Sequence, residues 1–487
     1  MFVRHAVARS IRNALLSSVM IGALALAVAP AHAQSQSQVD RMEQQIRDLQ
    51  SQLQTMREQV NTTQQQVQKT QTDVAAAPRI TFTNGRPGWT SADGQNSVQL
   101  TGRLHFDVGN YLSVSRAGAA NSLQDGVNAR RARIGVLGKV MGDWNYALVA
   151  DFGGSTDATP SSIIENAFIS YNGFRPVGID FGYMDVPWTL DEATSSNDIM
   201  FMERSSAQAI ATQFGAGDAR SALGVHSNDD RYWAGFYVTG PAAGASHSGS
   251  NMSQMAEAAR GTYQVWQDGS DSIHLGLNGL YLSNPRNGAA HQVALSDRPE
   301  LRIDSTTFLN TGAINADSGW VGGLEAAAQF GNFFTQGEYY HYNIDQFGTT
   351  PTSAAPSLDF DGGYIQASYS FGGRRKYNPG AGAYSGVIPD HPMDSSFTGW
   401  GAFELAARYS IVDLNDQVTK GVSQTTTGGV FGGKQQTYAV GLNWYPNSNV
   451  RFMLDYIHAD VDKLGTNGVT AAGAHIDAVA ARAQFAF

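Results

Sequence analysis

After Ala33 no stretch of 18 apolar residues occurs in the chain, yet from about Ile80 to Phe487 apolar side chains tend to recur at every second position. The first fact leaves no room for a spanning helix, which needs about 20 apolar residues. The second is the period of a strand, whose successive side chains point to opposite faces. A chain with both properties can cross a bilayer only as a closed barrel, because an open sheet would leave backbone groups unpaired in lipid. The alternation is plainest near the C-terminus. Tyr438, Val440, Leu442 and Trp444 alternate with Thr437, Ala439, Gly441 and Asn443, and Val450, Phe452, Leu454 and Tyr456 with Arg451, Met453 and Asp455. Phe403, Leu405, Ala407 and Tyr409 do the same against Glu404, Ala406, Arg408 and Ser410.

A soluble sandwich also alternates, so three further features decide. Aromatic residues gather near strand ends (Trp444 and Tyr445, Tyr339 and Tyr340, Tyr409), as an interfacial girdle requires. Short turns such as Gly331-Asn332 and 446–449 contrast with long Gly/Ser/Asp-rich stretches at 239–259, 345–358 and 415–434, the asymmetry of periplasmic turns and external loops. The last strand runs Val479, Ala481, Ala483, Phe485, Phe487, and a terminal Phe is similar to the signal that barrel-assembly machinery reads. At about 10 residues per strand, residues 80–487 hold roughly 16 antiparallel strands. That is the size at which an aqueous channel opens. The expected fold is an all-β transmembrane barrel over 78–487, preceded by an α-helical coiled coil.

Residues 1–33 read as a signal peptide, with Arg4, Arg9 and Arg12, an apolar run from Ala14 to Ala29 and the small-residue site Ala31-His32-Ala33. They carry three arginines and no acid, so their removal takes the net charge from −10 to −13. Over 34–77 the period is 3.5. Val39, Met42, Ile46, Leu49, Leu53, Met56, Val60, Thr63, Val67, Thr70 and Val74 form an a/d seam among Gln-rich neighbours, and Pro78 closes the helix. So narrow a stripe needs a second copy to bury it, and the a and d residues leave two or three strands open. A stalk of about 36 residues reaches roughly 54 Å, enough to approach peptidoglycan from a barrel in the outer membrane.

Charged residues make up 15% of the chain, against roughly 25% in soluble proteins. There is no cysteine, which excludes thiolate zinc sites, iron–sulfur clusters and cysteine nucleophiles. The eleven histidines lack ligand spacing, and no phosphate-cradling loop, H-E-x-x-H or G-x-S-x-G elbow occurs. No catalytic, cofactor or metal residue is assigned, and sparse basic residues argue against nucleic acid. A barrel lipase or protease would need a Ser/His pair, and none stands out.

Several stretches together resemble the phosphate-selective porin O and P family of outer-membrane channels. They include Ala129-Arg130-Arg131-Ala132-Arg133, Ala193-Thr194-Ser195-Ser196 and Phe201-Met202-Glu203-Arg204-Ser205. Asn310-Thr311-Gly312, Leu324-Glu325-Ala326-Ala327 and Gly337-Glu338-Tyr339 also fit, as do residues 400–410 and Gly441-Leu442-Asn443-Trp444-Tyr445-Pro446. The resemblance implies a 16-stranded homotrimeric porin in the bilayer and lipopolysaccharide of the outer membrane, with a third loop folded into the pore and small anions as cargo. It also implies an arginine ladder on the barrel wall.

In such a channel the functional residues line the narrowest section, and arginine suits an oxyanion because its planar fork stays charged. Alternation sets Arg131, Arg133 and Lys139 on one face opposite Ala132, Ile134 and Val136, and that face should be the lumen. Arg130 completes the cluster, and Arg103 shares a face with His105. Arg408 with Glu404, and Arg451 with Asp455, read as lumen salt bridges that shape the pore; Arg408 is also a pore-lining candidate. The segment Trp188 to Arg220 is the expected constriction loop, contributing Arg204 and Arg220. Its five acids against two bases are an unfavourable balance for phosphate. Arg374-Arg375-Lys376 is the one basic run in the barrel and is expected to start an outer loop, at the mouth of the channel or against lipopolysaccharide phosphates. The alternative functions are a general or differently selective porin and a structural tether.

Overall fold

The computed structural model describes residues 36–83, 85–117, 123–154, 163–215, 219–243, 253–286, 290–348 and 355–487. The leader expected over 1–33 lies outside them. The chain divides between Ala76 and Ala77 into two compact units. The first contains helix α1, Gln36–Ala76. Its seam is open to solvent, from Val39 at 42% exposed to Val74 at 67%.

The second unit is a closed barrel of sixteen antiparallel strands. In chain order these are β1 Ser97–Arg116, β2 Gly126–Val140, β3 Trp144–Asp151, β4 Ile164–Phe174 and β5 Val177–Met184. Then come β6 Arg220–Asn228, β7 Tyr232–Ala242, β8 Met255–Asp268, β9 Asp271–Asn284 and β10 Leu309–Phe330. The circle continues through β11 Phe333–Gln346, β12 Leu358–Phe371, β13 Ala402–Asp416, β14 Val430–Tyr445, β15 Val450–Asp462 and β16 Ala474–Ala486. It closes where β16 pairs with β1, from Ala474 opposite Arg116 to Ala486 opposite Arg103. A hairpin of Arg79–Thr83 and Arg86–Thr90 pairs with the start of β1 below that closure.

The barrel wall is apolar outside, while its inner face mixes buried charged residues such as Arg260, Glu325 and Glu404 with apolar ones such as Leu280 and Val412. Leu148, Leu275, Leu277, Leu324, Ile365, Leu405, Leu442 and Leu454 all face outward. Two aromatic belts flank them. At the short-turn end, ring pairs recur around the wall: Trp144 on Tyr171 at 4.7 Å, Trp266 on Phe330 at 5.8 Å, and Phe403, Trp444 and Phe452 in one stack. Toward the other end stand Trp320 and Tyr339 on the paired strands β10 and β11, and Tyr409, Tyr438 and Tyr456 on the consecutive strands β13 to β15. Such rings sit where one side is apolar and the other wet.

Connections alternate in length, as the sequence indicated, with one exception. The two segments joining β12 to β13 lie at the short-turn end but span thirty residues, 372–401. This corrects the reading of Arg374-Arg375-Lys376 as the start of an outer loop. Length alone suggested an outer position, whereas the parity of strands fixes this connection at the turn end. Arg375 is buried in an ion pair with Glu404 of β13 at 2.8 Å, and Arg374 donates to Ser270 Oγ in the neighbouring short turn. Beyond it the segment enters the barrel. Tyr384 packs on Phe334 of β11 at 4.7 Å, and Arg260 of β8 donates to the carbonyls of Ala381 and Gly382. Gly382 has φ +58, and a Cβ there would lie 2.8 Å from Cβ of Trp233, so only glycine fits.

Candidate functional site

The described part of the β5–β6 connection, residues 185–215, packs inside the barrel. It carries helices α2, Leu190–Ala193, and α3, Ser206–Gln213. Its apolar residues Val186, Trp188, Ile210 and Phe214 pack in one cluster with Tyr237 of β7, Leu280 of β9, Tyr340 of β11 and Val412 of β13. Met200, Phe201 and Met202 join a second cluster with residues of β10 to β16, with Leu301 of the β9–β10 loop and with Tyr384.

Carboxylates fix the helix starts. Glu338 accepts from the backbone N–H of Leu190 and Asp191 at 2.8 and 2.9 Å, and Glu300 accepts from Ser206 N at 2.9 Å. An anion at a helix N-terminus meets both unpaired N–H groups and the positive end of the dipole. Glu300 holds a left-handed backbone, φ +57, and its other oxygen takes an ion pair from Arg408.

These anchors revise the expected lumen salt bridges. Residues four apart on one strand are about 13 Å apart, too far to pair, so each reaches for an inserted segment. Glu404 pairs with Arg375 and Arg408 with Glu300, while Arg451 donates to the carbonyls of Asn197, Ile199 and Met200. Asp455 accepts from Met202 N at 2.8 Å. Arg408, stacked 4.5 Å over the Phe201 ring and 6% exposed, lines no described cavity; it anchors the loops and does not face the channel.

With the β7–β16 side occupied, the space that remains runs along β1, β2, β4 and β6 as four cavities that share lining residues. A cavity of about 150 Å³ at the loop end holds Arg220 and Arg286. It shares Arg220 with one of about 400 Å³ lined also by Arg130, Arg131, Arg204, Arg298 and Arg302. Arg131 and Arg204 border the next, of about 250 Å³, with Arg103 and Arg133. Arg103 leads to one of about 500 Å³ at the turn end, with Arg86, Arg451 and the C-terminal Phe487. Along this path stand eleven arginines and four acids, Asp185, Glu192, Asp198 and Glu203.

The acids of the inserted loop are largely answered. Arg130 meets Glu203 through Nε at 2.8 Å and Nη2 at 3.1 Å, and Arg482 reaches it at 2.9 Å. Burial works against the charge on Glu203, but Arg130, Arg482 and Arg131 outweigh it and hold the carboxyl well below its usual range. Arg204 spans Asp191 and Glu192 at 3.7 and 3.5 Å. Three of the loop's five acids are thus paired, and Asp218 lies outside the described residues.

A bulge in the β1–β2 pairing, between His105 and Phe106, leaves Arg130 as an extra residue and turns both it and Arg131 into the lumen. Strict alternation placed only one of the two there. Arg133 pairs with Asp151 and Glu165, and Arg103 donates to the hydroxyls of Ser195 and Ser196. Arg220 donates to Gly240 O and Gln254 Oε1. Arg131 differs: it is 4% exposed, and its Nε and Nη1 have no hydrogen-bond partner among the described residues. Sequence reasoning missed Arg86, Arg286, Arg298 and Arg302. The last two belong to Arg298-Pro299-Glu300-Leu301-Arg302, a dense charged run around one leucine that could have marked an inserted loop.

The profile of the phosphate-selective porin O and P family matches residues 98–487, the whole barrel. The chain belongs to that family. It is an outer-membrane porin. Porin O of Pseudomonas aeruginosa is similar at 24% identity over 84% of this chain and 92% of that protein. An uncharacterised protein of Caulobacter vibrioides is 26% identical over 78% of this chain and 72% of its own length. Among solved structures, an anion-selective porin from Comamonas acidovorans has a TM-score of 0.49 at 14% identity, covering 80% of this chain and all of that one.

Proposed function

We propose that this porin passes small oxyanions of the phosphate class, phosphate or polyphosphate, along the arginine-lined path. The observation that carries the reading is the imbalance along that path, eleven arginines against four acids, in a chain whose net charge is −10. Such a distribution concentrates anions locally whatever the sign of the whole. Most of these guanidiniums are already satisfied by acids or carbonyls, so they set the field without gripping the cargo. Arg131 borders both middle cavities, and two of its buried donors have no hydrogen-bond partner among the described residues. A permeating phosphate replaces lost hydration there with charge-assisted hydrogen bonds and then passes to Arg133 and Arg103.

Phosphate should block chloride current through the wild-type channel, and Arg131→Ala should weaken that block roughly tenfold or more, since a hydrogen bond to a charged group is worth about 1.5–3 kcal/mol. Equal block in both proteins would remove Arg131 from the path. A general porin on the same scaffold would show no phosphate block at all.

The open seam of α1 favours a second reading alongside the first. Self-association of three stalks would bury Leu49, Leu53 and Met56 and accompany a homotrimer of barrels. A 41-residue helix is about 60 Å long, which suits a tether toward peptidoglycan.

A further inference from the structure

The long turn-end connection has an outward part as well as an inward one. Residues 391–400 form a small knot outside the barrel, tied by Gly401 N to His391 O at 3.1 Å and by Met393 N to Pro446 O at 2.7 Å. Asp394 organises its tip. One carboxylate oxygen accepts from Ser396 N and Thr398 N, the other from Thr398 Oγ1 at 2.6 Å, and Phe397 N donates to Asp394 O.

This network holds Phe397 at φ +56, a left-handed backbone that a bulky side chain rarely adopts. Yet the side chain is largely open: Phe397 is 81% exposed and Trp400 is 78% exposed. A strained backbone that presents an aromatic ring to water would be all loss, so the ring must have another environment.

Its neighbours indicate which. Trp444 Nε1 donates to Trp400 O at 2.8 Å, and the Trp444 ring stacks with Phe403 and Phe452, members of the turn-end aromatic belt. The knot is therefore continuous with the barrel's interface to lipid.

We propose that Phe397 and Trp400 are a membrane anchor, seated at the boundary between headgroups and acyl chains of the inner, periplasmic leaflet, with phospholipid as the partner. Aromatic rings favour that boundary, where an apolar body meets a hydrated edge. The segment whose other half packs inside the lumen is thus held from both sides of the wall.

The absence of cysteine makes the test direct. Phe397→Cys and Trp400→Cys each receive a nitroxide label in the full-length protein reconstituted in phosphatidylethanolamine–phosphatidylglycerol vesicles. Leu442→Cys, facing lipid in mid-strand, and Ser448→Cys, exposed in a short turn, are the references. Heat-modifiable migration on gels verifies that each variant is folded. Labels at 397 and 400 should relax more with oxygen than with a water-soluble nickel chelate, at values between the two references. Values matching Ser448→Cys would overturn the anchor. Strong spin–spin broadening would also overturn it, by placing a second copy of the chain against the knot.

Discussion

Arg131 and Arg133 lie two residues apart on one wall, yet their surroundings give them different work. Arg133 is neutralised by Asp151 and Glu165, whereas Arg131, at the junction of two cavities, has two donors with no hydrogen-bond partner among the described residues. Arg408 differs again, because its charge is consumed in holding two loops through Glu300. Removing one member of a buried pair leaves the other charge stranded, at about 3–5 kcal/mol, while replacing both costs much less. Arg408→Ala should therefore lower the urea midpoint of the folded barrel in detergent, and Arg408→Met combined with Glu300→Gln should recover most of the loss. A double variant as unstable as the single one would contradict this role.

Acid pH separates the loop carboxyls. Burial raises the carboxyl of Asp198 above its usual range, while Glu203, held below its range by three arginines, stays ionised. Glu203 thus contributes stability above the unfolded carboxylate pKa of about 4.3, lost only as pH falls through its much lower folded value. Asp198 protonates first, removing a negative charge from the turn-end cavity. Anion preference should rise as the pH is lowered through the raised titration of Asp198, read as the reversal potential in a salt gradient; a fall would show that other acids control the path.

At the scale of elements, lumen packing explains which parts of the molecule sequence alone could place. Alternation, turn asymmetry and strand length gave the sixteen strands, because each is a local property of one wall. The basic cluster of β2 was legible for the same reason. Insertion of the β9–β10 loop and the β12–β13 connection was not, since it depends on contacts such as Leu301 with Met202 and Tyr384 with Phe334 that join distant segments. The bulge that adds Arg130 to the lumen was equally hidden, because it is a property of two paired strands. If the β12–β13 connection narrows the channel, replacing residues 376–398 with a short Asn-Gly turn should raise single-channel conductance. An unchanged conductance would show that its inward half fills space beside the path and does not restrict it.

The whole molecule combines an apolar exterior, an arginine-lined interior and a helix whose own apolar seam is unburied. In the stalk, Leu49→Asp with Leu53→Asp should lower the temperature at which the assembled oligomer separates on gels, with single-channel conductance unchanged. An unaltered separation temperature would show that the barrels associate without the stalk. The sign of the field along the channel decides which ion passes more readily. The zero-current potential of the purified porin in a potassium chloride gradient measures that sign directly. The arginine path predicts that chloride is the more permeant ion, with the preference reduced in Arg131→Ala. A potential showing potassium as the more permeant ion would contradict it.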